Sequence, residues 1–194
     1  MQTGARDQSI PAALILVGGL LSIIAGFLSW MDFSPEGDPT TTFKGTDLTA
    51  GTGTLGFGVV LLILGIVLYV RGRQSGGKGV SIAAIVFAAL VLFAAGYSSV
   101  APGDALAEFE SSSVAEEYNI DEDLAKAAIN AGLDEGNIEV TSQIGAWLAT
   151  LAGALALAGS IMGVARSKQI KASQAATTTP VQPAAPPPTA PPTV

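Results

Sequence analysis

The side chains that could do chemistry in this chain are few, and the commonest catalytic types are missing. The sequence has no histidine and no cysteine, which removes the usual general base, the thiolate nucleophile and most zinc ligands. Carboxylates remain, and five of them cluster: Glu116, Glu117, Asp121, Glu122 and Asp123. Their spacing does not fit a calcium-binding loop, and nothing around them predicts a pocket. We therefore expect no catalytic residue, no bound metal, no cofactor and no enzymatic activity.

One glycine pattern has the spacing of a nucleotide-binding motif. Residues 51–56 read GTGTLG, which matches G-x-G-x-x-G. A dinucleotide site needs a strand before this motif and an acidic residue about 20 positions after it. No strand is predicted there, and Arg71 and Arg73 occupy the later position. We interpret the pattern as the glycine-rich start of a membrane-spanning helix.

Four uncharged apolar segments dominate the chain. Of its residues 49% are hydrophobic and only 13% are charged, whereas about a quarter are charged in ordinary soluble domains. A helix rising about 1.5 Å per residue crosses a bilayer core in about 20 residues. The predicted spans are 10–31, 51–70, 80–100 and 143–165. A cleaved signal peptide is the alternative for the first span, but the apolar run is long and no A-x-A-like site follows.

The remaining segments and their charges predict the orientation. These segments are 1–9, 32–50, 71–79, 101–142 and 166–194. Four spans place both termini on one side, together with seven of the nine Lys and Arg residues, whereas Lys44 and Lys126 fall on the other. By the positive-inside rule the termini are cytoplasmic. Trp30, Tyr97 and Trp147 then fall near the outer ends of their spans, where aromatic rings favour the headgroup region.

The outer segment 101–142 is predicted to form a small acidic cap of two helices. It contains eleven acids and one lysine. Asp121 can cap the second helix, on which Leu124, Ala128 and Ala131 would form an apolar stripe. The five clustered acids, residues 116, 117 and 121–123, are candidate contacts for a cationic partner; the alternative is that they only keep the cap soluble. Segment 32–50 is predicted to be a polar loop.

The last segment, 166–194, is rich in Ala, Thr and Pro and is predicted to be disordered in the cytoplasm. It contains seven of the eleven prolines, several at three-residue spacing. A PxxP-type docking ligand is the alternative interpretation, although such ligands usually carry a flanking cation.

Small residues at four-residue spacing predict close helix packing, within the chain or with neighbouring membrane proteins. The helix-packing candidates are Gly18, Ser22 and Gly26 on the first span and Gly145, Ala149, Gly153, Gly159 and Gly163 on the last.

The order of these features resembles that of a known group of proteins. The first span ends in LSWMDF, a Gly/Thr-rich re-entry FKGTDLTAGTGTLGFG follows, and then come a short basic turn and an Ala/Pro/Thr tail. This arrangement resembles the small four-span membrane proteins of high-GC actinobacteria, most of them uncharacterised. The resemblance implies a multi-pass protein of the bacterial plasma membrane and carries over no functional residue. Claudin-like proteins match less well, because their W-G-L-W motif and paired cysteines are missing.

The sequence constrains the function mainly by excluding some classes of protein. The spans contain no Asp, Glu, Lys, Arg or His, which argues against proton-coupled transport. A net charge of −7 without a basic cluster argues against nucleic acid as a partner. We predict an all-α membrane protein that acts as a non-catalytic accessory or scaffold subunit and packs in the bilayer against other membrane proteins. The alternatives are a transport or channel component and an envelope sensor that signals through the Pro-rich tail.

Overall fold

The computed structural model describes residues 9–36, 39–75 and 77–177. In chain order its elements are α1 (Ser9–Gly26), β1 (Ser29–Pro35), β2 (Thr41–Lys44), a 3-10 turn (Gly45–Asp47), α2 (Thr49–Ser75), α3 (Lys78–Val100), α4 (Pro102–Tyr118), α5 (Glu122–Asp134), β3 (Ile138–Ser142) and α6 (Ile144–Thr177). Helices α1, α2, α3 and α6 are long and apolar enough to cross a membrane. The chain is therefore mostly helical, with the four apolar helices expected of a multi-pass membrane protein.

These four helices form a bundle in the ring order α1, α2, α3, α6. Small residues lie at the helix contacts, where Ala12, Ala84, Ala88 and Ala156 are fully buried. Large apolar side chains point outward instead, among them Val17, Leu20, Ile63, Ile66, Val86, Phe93, Leu151 and Ile161. Such a distribution suits a bundle in lipid, because an apolar solvent can cover large side chains while small ones let the backbones approach closely.

A three-stranded antiparallel sheet lies at the end of the bundle where α1 and α3 finish and α2 and α6 begin. Strand β1 is central, with Phe33 opposite Thr41 of β2 and opposite Val140 of β3. The all-α prediction is therefore wrong for this region, and so is the interpretation of 32–50 as a loop. The alternation in IEVTS of β3 and the Thr and Phe residues of β1 and β2 favour strands, but a short strand is stable only when it is paired.

Several predicted boundaries also shift. Helix α1 ends at Gly26 rather than at residue 31, because Trp30 and Met31 belong to β1. Helix α6 continues through Thr177 into the segment predicted to be disordered. Residues 165–177 contain no glycine or proline and several good helix formers, which explains the extension. The rest of that segment, 178–194, and residues 1–8 lie outside the described residues.

Helices α4 and α5 pack on each other and, with the sheet, form what we call the cap. Pro102 begins α4 immediately after α3, a position that suits its missing N–H. Asp121 caps α5 as predicted, since its Oδ1 accepts the N–H of Asp123 at 2.9 Å. Asn119 has a left-handed backbone, with φ of 51°, and closes the turn between the two helices.

The GTGTLG segment lies entirely inside α2. Strand β2 does precede it, contrary to the sequence prediction, but β2 belongs to an antiparallel sheet and a 3-10 turn separates it from α2. A side chain on Gly51 would collide with the backbone of Gly45. This contact explains the glycine without any nucleotide.

Candidate interaction surface

Trp30 joins the cap to the bundle. Its side chain is fully buried, and its Nε1 donates to the carbonyl of Ala25 at 2.8 Å. Its own carbonyl accepts the N–H of Gln143, immediately before α6, at 2.7 Å. Added Cβ atoms at Gly45 and Gly145 would lie 2.6 and 2.5 Å from the indole, closer than real contacts allow. Glycine is therefore required at both positions, and the Trp30 indole is enclosed by protein rather than exposed to headgroups.

Asp32 in β1 connects the sheet to the start of α6. Its Oδ1 accepts the hydroxyl of Thr42 at 2.7 Å, and its Oδ2 accepts the side-chain amide of Gln143 at 2.6 Å. Residues 111 positions apart in the chain are thus hydrogen-bonded to each other. The carboxylate has a structural explanation and needs no ligand.

Glu110 connects the other half of the cap to the bundle. Its carboxylate accepts the backbone N–H of Thr49 at 2.6 Å and the hydroxyl of Thr49 at 3.2 Å. Nearby, Phe109 stacks edge-on against Tyr97 of α3, with ring centroids 6.0 Å apart. Burial raises the pKa of Glu110. The hydrogen bonds from Thr49 and from the backbone of Ala50 lower this pKa by a smaller amount, so the net shift is upward. These contacts hold α4 over the ends of α2 and α3.

The small residues predicted on the first span contact neighbours in the same chain. An added Cβ on Gly18 would lie 2.6 Å from the carbonyl oxygen of Ala152 in α6, and one on Gly26 would lie 3.0 Å from Leu55 of α2. Ser22 is fully buried, and its hydroxyl donates to the carbonyl of Gly18 at 2.9 Å. All three positions are therefore occupied by packing within the bundle.

The small residues on the last span are occupied in the same way. Gly153 meets the backbone N of Leu92 in α3, 2.8 Å from its ideal Cβ, and Gly159 meets Leu14 of α1 at 2.8 Å. Gly145 contacts Trp30, Gly163 contacts Ser81 of α3, and Ala149 is fully buried. None of these positions is open to a partner's helix, whereas Gly56 on α2, which has no neighbour within 4 Å, is open.

Hydroxyl groups inside the bundle mostly bond their own helix. Ser160 donates to Ala156 and Thr150 donates to Ala146, at 2.7 and 2.9 Å. The hydroxyl of Ser81 is the one buried side-chain polar atom of the described residues that has no hydrogen-bond partner. A single hydroxyl does not make a polar path through the membrane.

The five clustered acids lie at the tip of the cap, defined here as residues 116–124, the end of α4, the turn and the start of α5. All five side chains are exposed. Two have local contacts, since Asp121 caps α5 and Glu122 accepts the hydroxyl of Ser111 at 3.4 Å. No group of three or more acids in the described parts of the chain is arranged to hold a metal ion.

The apolar stripe predicted on α5 is exposed at Leu124, Ala128 and Ala131, whereas Ala125 is buried. The capping pattern contained the signal for this arrangement. With Asp121 at the N-cap, Ile120 and Ala125 take the two positions that pack together in a hydrophobic staple. Leu124 is thereby directed outward, and the tip exposes apolar side chains next to its acids.

No family model, curated protein or solved structure matches this chain. Its function must therefore be argued from its own residues.

Proposed function

We propose that the chain is a non-catalytic accessory or scaffold subunit of the membrane, and that it binds another protein through its cap. The main support is that the small-residue faces of the helices are already packed within the chain. All eight predicted packing residues contact or are buried by the same chain, so the bundle satisfies its own packing. Among the described residues the acidic surface is concentrated on the cap, which makes the cap the best candidate for a specific contact.

Transport receives less support. The bundle interior is filled by small residues and by apolar side chains such as Ile15, Leu61 and Val91, and most of its hydroxyls bond their own helix. The predicted spans contain no Asp, Glu, Lys, Arg or His. A conduction path would need polar groups that face one another along the bundle.

The orientation and location are part of the proposal. Seven cations lie on the side of the termini, and three of them, Arg71, Arg73 and Lys78, lie where α2 ends and α3 begins. By the positive-inside rule this end is cytoplasmic and the cap is outside, with the protein in a bacterial plasma membrane, as the actinobacterial resemblance also implies.

A cysteine-free sequence makes the orientation easy to measure. The exposed Ser112 of α4 and the exposed Gly79 at the start of α3 lie at opposite ends of the bundle. In intact cells an impermeant maleimide should label Ser112→Cys, whereas Gly79→Cys should react only after the membrane is opened. The reverse pattern would place the cap in the cytoplasm.

The function is tested by reciprocal purification in mild detergent. The tagged chain should recover one membrane protein in a fixed ratio, and a tag on that protein should recover this chain. Liposomes that contain the chain should conduct no better than empty ones. A chain that purifies alone and conducts ions would contradict the proposal and favour a channel.

A further inference from the structure

We propose that the tip of the cap, residues 116–124, is the partner-binding surface, and that it takes a cationic amphipathic segment of a different protein. Such a segment would carry Lys or Arg around one or two large apolar side chains. This inference rests on the proposed function and adds the position and chemistry of the contact.

The first observation is an exposed apolar patch. Tyr118, Ile120 and Leu124 are 67%, 37% and 59% exposed. They are the large apolar side chains of α4, α5 and the turn between them that are more than a third exposed, and all three lie within seven consecutive residues. Large apolar side chains gathered at one exposed place are a common mark of a binding surface.

The second observation is that the backbone of the tip is fixed by hydrogen bonds. The N–H of Ile120 donates to the carbonyl of Ala115 at 3.0 Å, and Asn119 supplies the left-handed residue that this helix ending requires. Asp121 then starts α5 by capping it. A preformed surface loses less entropy on binding than a flexible loop does.

The third observation is the charge around the patch. Five acids and no cation lie in residues 116–124. The nearby Lys126 is paired with Glu108, and this single cation is outnumbered by the five acids. At a Debye length of about 8 Å, acids this close together are only partly screened, so a cationic segment would relieve their repulsion.

The same charge argues against two other occupants. A second copy of the chain would bring an equally acidic tip. The anionic headgroups of a bacterial membrane would also be repelled, and the cations that lipid-binding segments need are missing from the tip. A cationic protein segment satisfies both the apolar patch and the acids.

The test uses the full-length chain in nanodiscs of neutral phosphatidylcholine. The probe is a short, fluorescently labelled amphipathic peptide of lysine and leucine, with empty nanodiscs as background. A charge variant carries Glu116→Gln, Glu117→Gln and Asp123→Asn. An apolar variant carries Tyr118→Ser and Leu124→Ser. The matched control removes three acids away from the tip, two at the other end of α5 and one in β3, with Asp134→Asn, Glu135→Gln and Glu139→Gln.

We expect the charge variant to weaken binding about tenfold at low salt and to lose most of the salt dependence. The apolar variant should weaken binding about fivefold, at low salt and at high salt alike. The control should change affinity less than about twofold. Equal weakening by the control, or no effect of the apolar variant, would overturn the proposal because net charge alone would then explain binding.

Lipid as the occupant is tested separately. An environment-sensitive dye on Leu124→Cys should report an aqueous environment in nanodiscs without peptide; a lipid-like emission would overturn the proposal. Recovery of the partner from membranes separates the two levels of inference. If both tip variants recover the partner as wild type does, the tip is wrong while the proposed function stands, whereas failure of wild type itself to recover any partner contradicts the proposed function.

Discussion

The carboxylate of Glu110 in α4 accepts two hydrogen bonds from Thr49, the first residue of α2, from the backbone N–H at 2.6 Å and from the hydroxyl at 3.2 Å. The first N–H groups of a helix have no partner within the helix. A carboxylate at this end also interacts favourably with the helix dipole. This contact joins residues 61 positions apart. It therefore serves as a helix N-cap for α2 and also fixes the cap on the bundle.

Replacing Glu110 should show how much this contact contributes. Glu110→Ala leaves the N–H of Thr49 without its acceptor. It should lower the free energy of unfolding by about 1 kcal/mol, the usual effect of losing a helix N-cap. Glu110→Gln keeps an acceptor oxygen and should lose less stability than Glu110→Ala. Thermal unfolding in detergent measures both, with Glu116→Ala on the exposed end of the same helix as the control. Equal stability of the Ala variant and wild type would show that the contact does not hold the cap.

Glu110 should also make stability depend on pH. Burial raises its pKa above the ordinary value of 4.5, so folding favours the protonated form. The contribution of this group to stability is therefore fully present below pH 4.5 and is lost as the pH rises through the raised folded value. The melting temperature of wild type relative to Glu110→Gln should fall between pH 4.5 and neutral pH. A difference that does not change with pH would contradict this assignment.

Trp30 is expected to be the most sensitive single residue of the junction between the cap and the bundle. Trp30→Ala removes a fully buried indole and should cost about 3 to 5 kcal/mol. Trp147→Phe, at a half-exposed site, should have little effect and serves as the matched control. In Trp147→Phe the remaining Trp30 fluorescence should resist quenching by aqueous acrylamide. Efficient quenching would mean that the indole is not enclosed.

Close packing between α6 and α3 can be tested with one substitution at two glycines. Gly153→Leu would place a side chain against the backbone of Leu92, and overpacking of this kind costs about 1 to 3 kcal/mol. Gly56→Leu makes the same chemical change at a position whose ideal Cβ has no packing neighbour within 4 Å. The first variant should lose thermal stability in detergent and the second should not. Leucine is a better helix former than glycine, so propensity alone would destabilise neither variant. Equal stability of the two variants would show that close packing of Gly153 against Leu92 does not contribute to stability.

The helices were predictable because their signals are local. Uncharged runs of about 20 residues identify the four spans, and Asp121 marks the start of α5 through a short-range capping pattern. The small-residue spacing likewise indicated which faces of the first and last helices pack closely. What it did not indicate is the neighbour: Gly153 could have met a helix of a partner as well as Leu92.

The sheet and the junction were not predictable because they depend on contacts between distant parts of the chain. Strand β1 pairs with β3, more than 100 positions later. Trp30 has the type and position of an interfacial aromatic residue, and only the two glycines, Gly45 and Gly145, show that it is enclosed instead. The exposure of Leu124 follows from the helix start at Asp121, but an apolar residue at helical spacing is ordinarily assigned to the core.

The proposed function places the contact with another protein on the cap and not on the lipid-facing bundle. Photo-crosslinking in native membranes tests it most directly, with benzoylphenylalanine in place of Ser112 or Tyr118 on the cap and in place of Ile63 or Phe93 on the bundle, all four exposed. We expect a crosslink to one protein from a cap position and crosslinks to lipid alone from the bundle positions. Protein crosslinks from Ile63 or Phe93, with none from the cap, would contradict it.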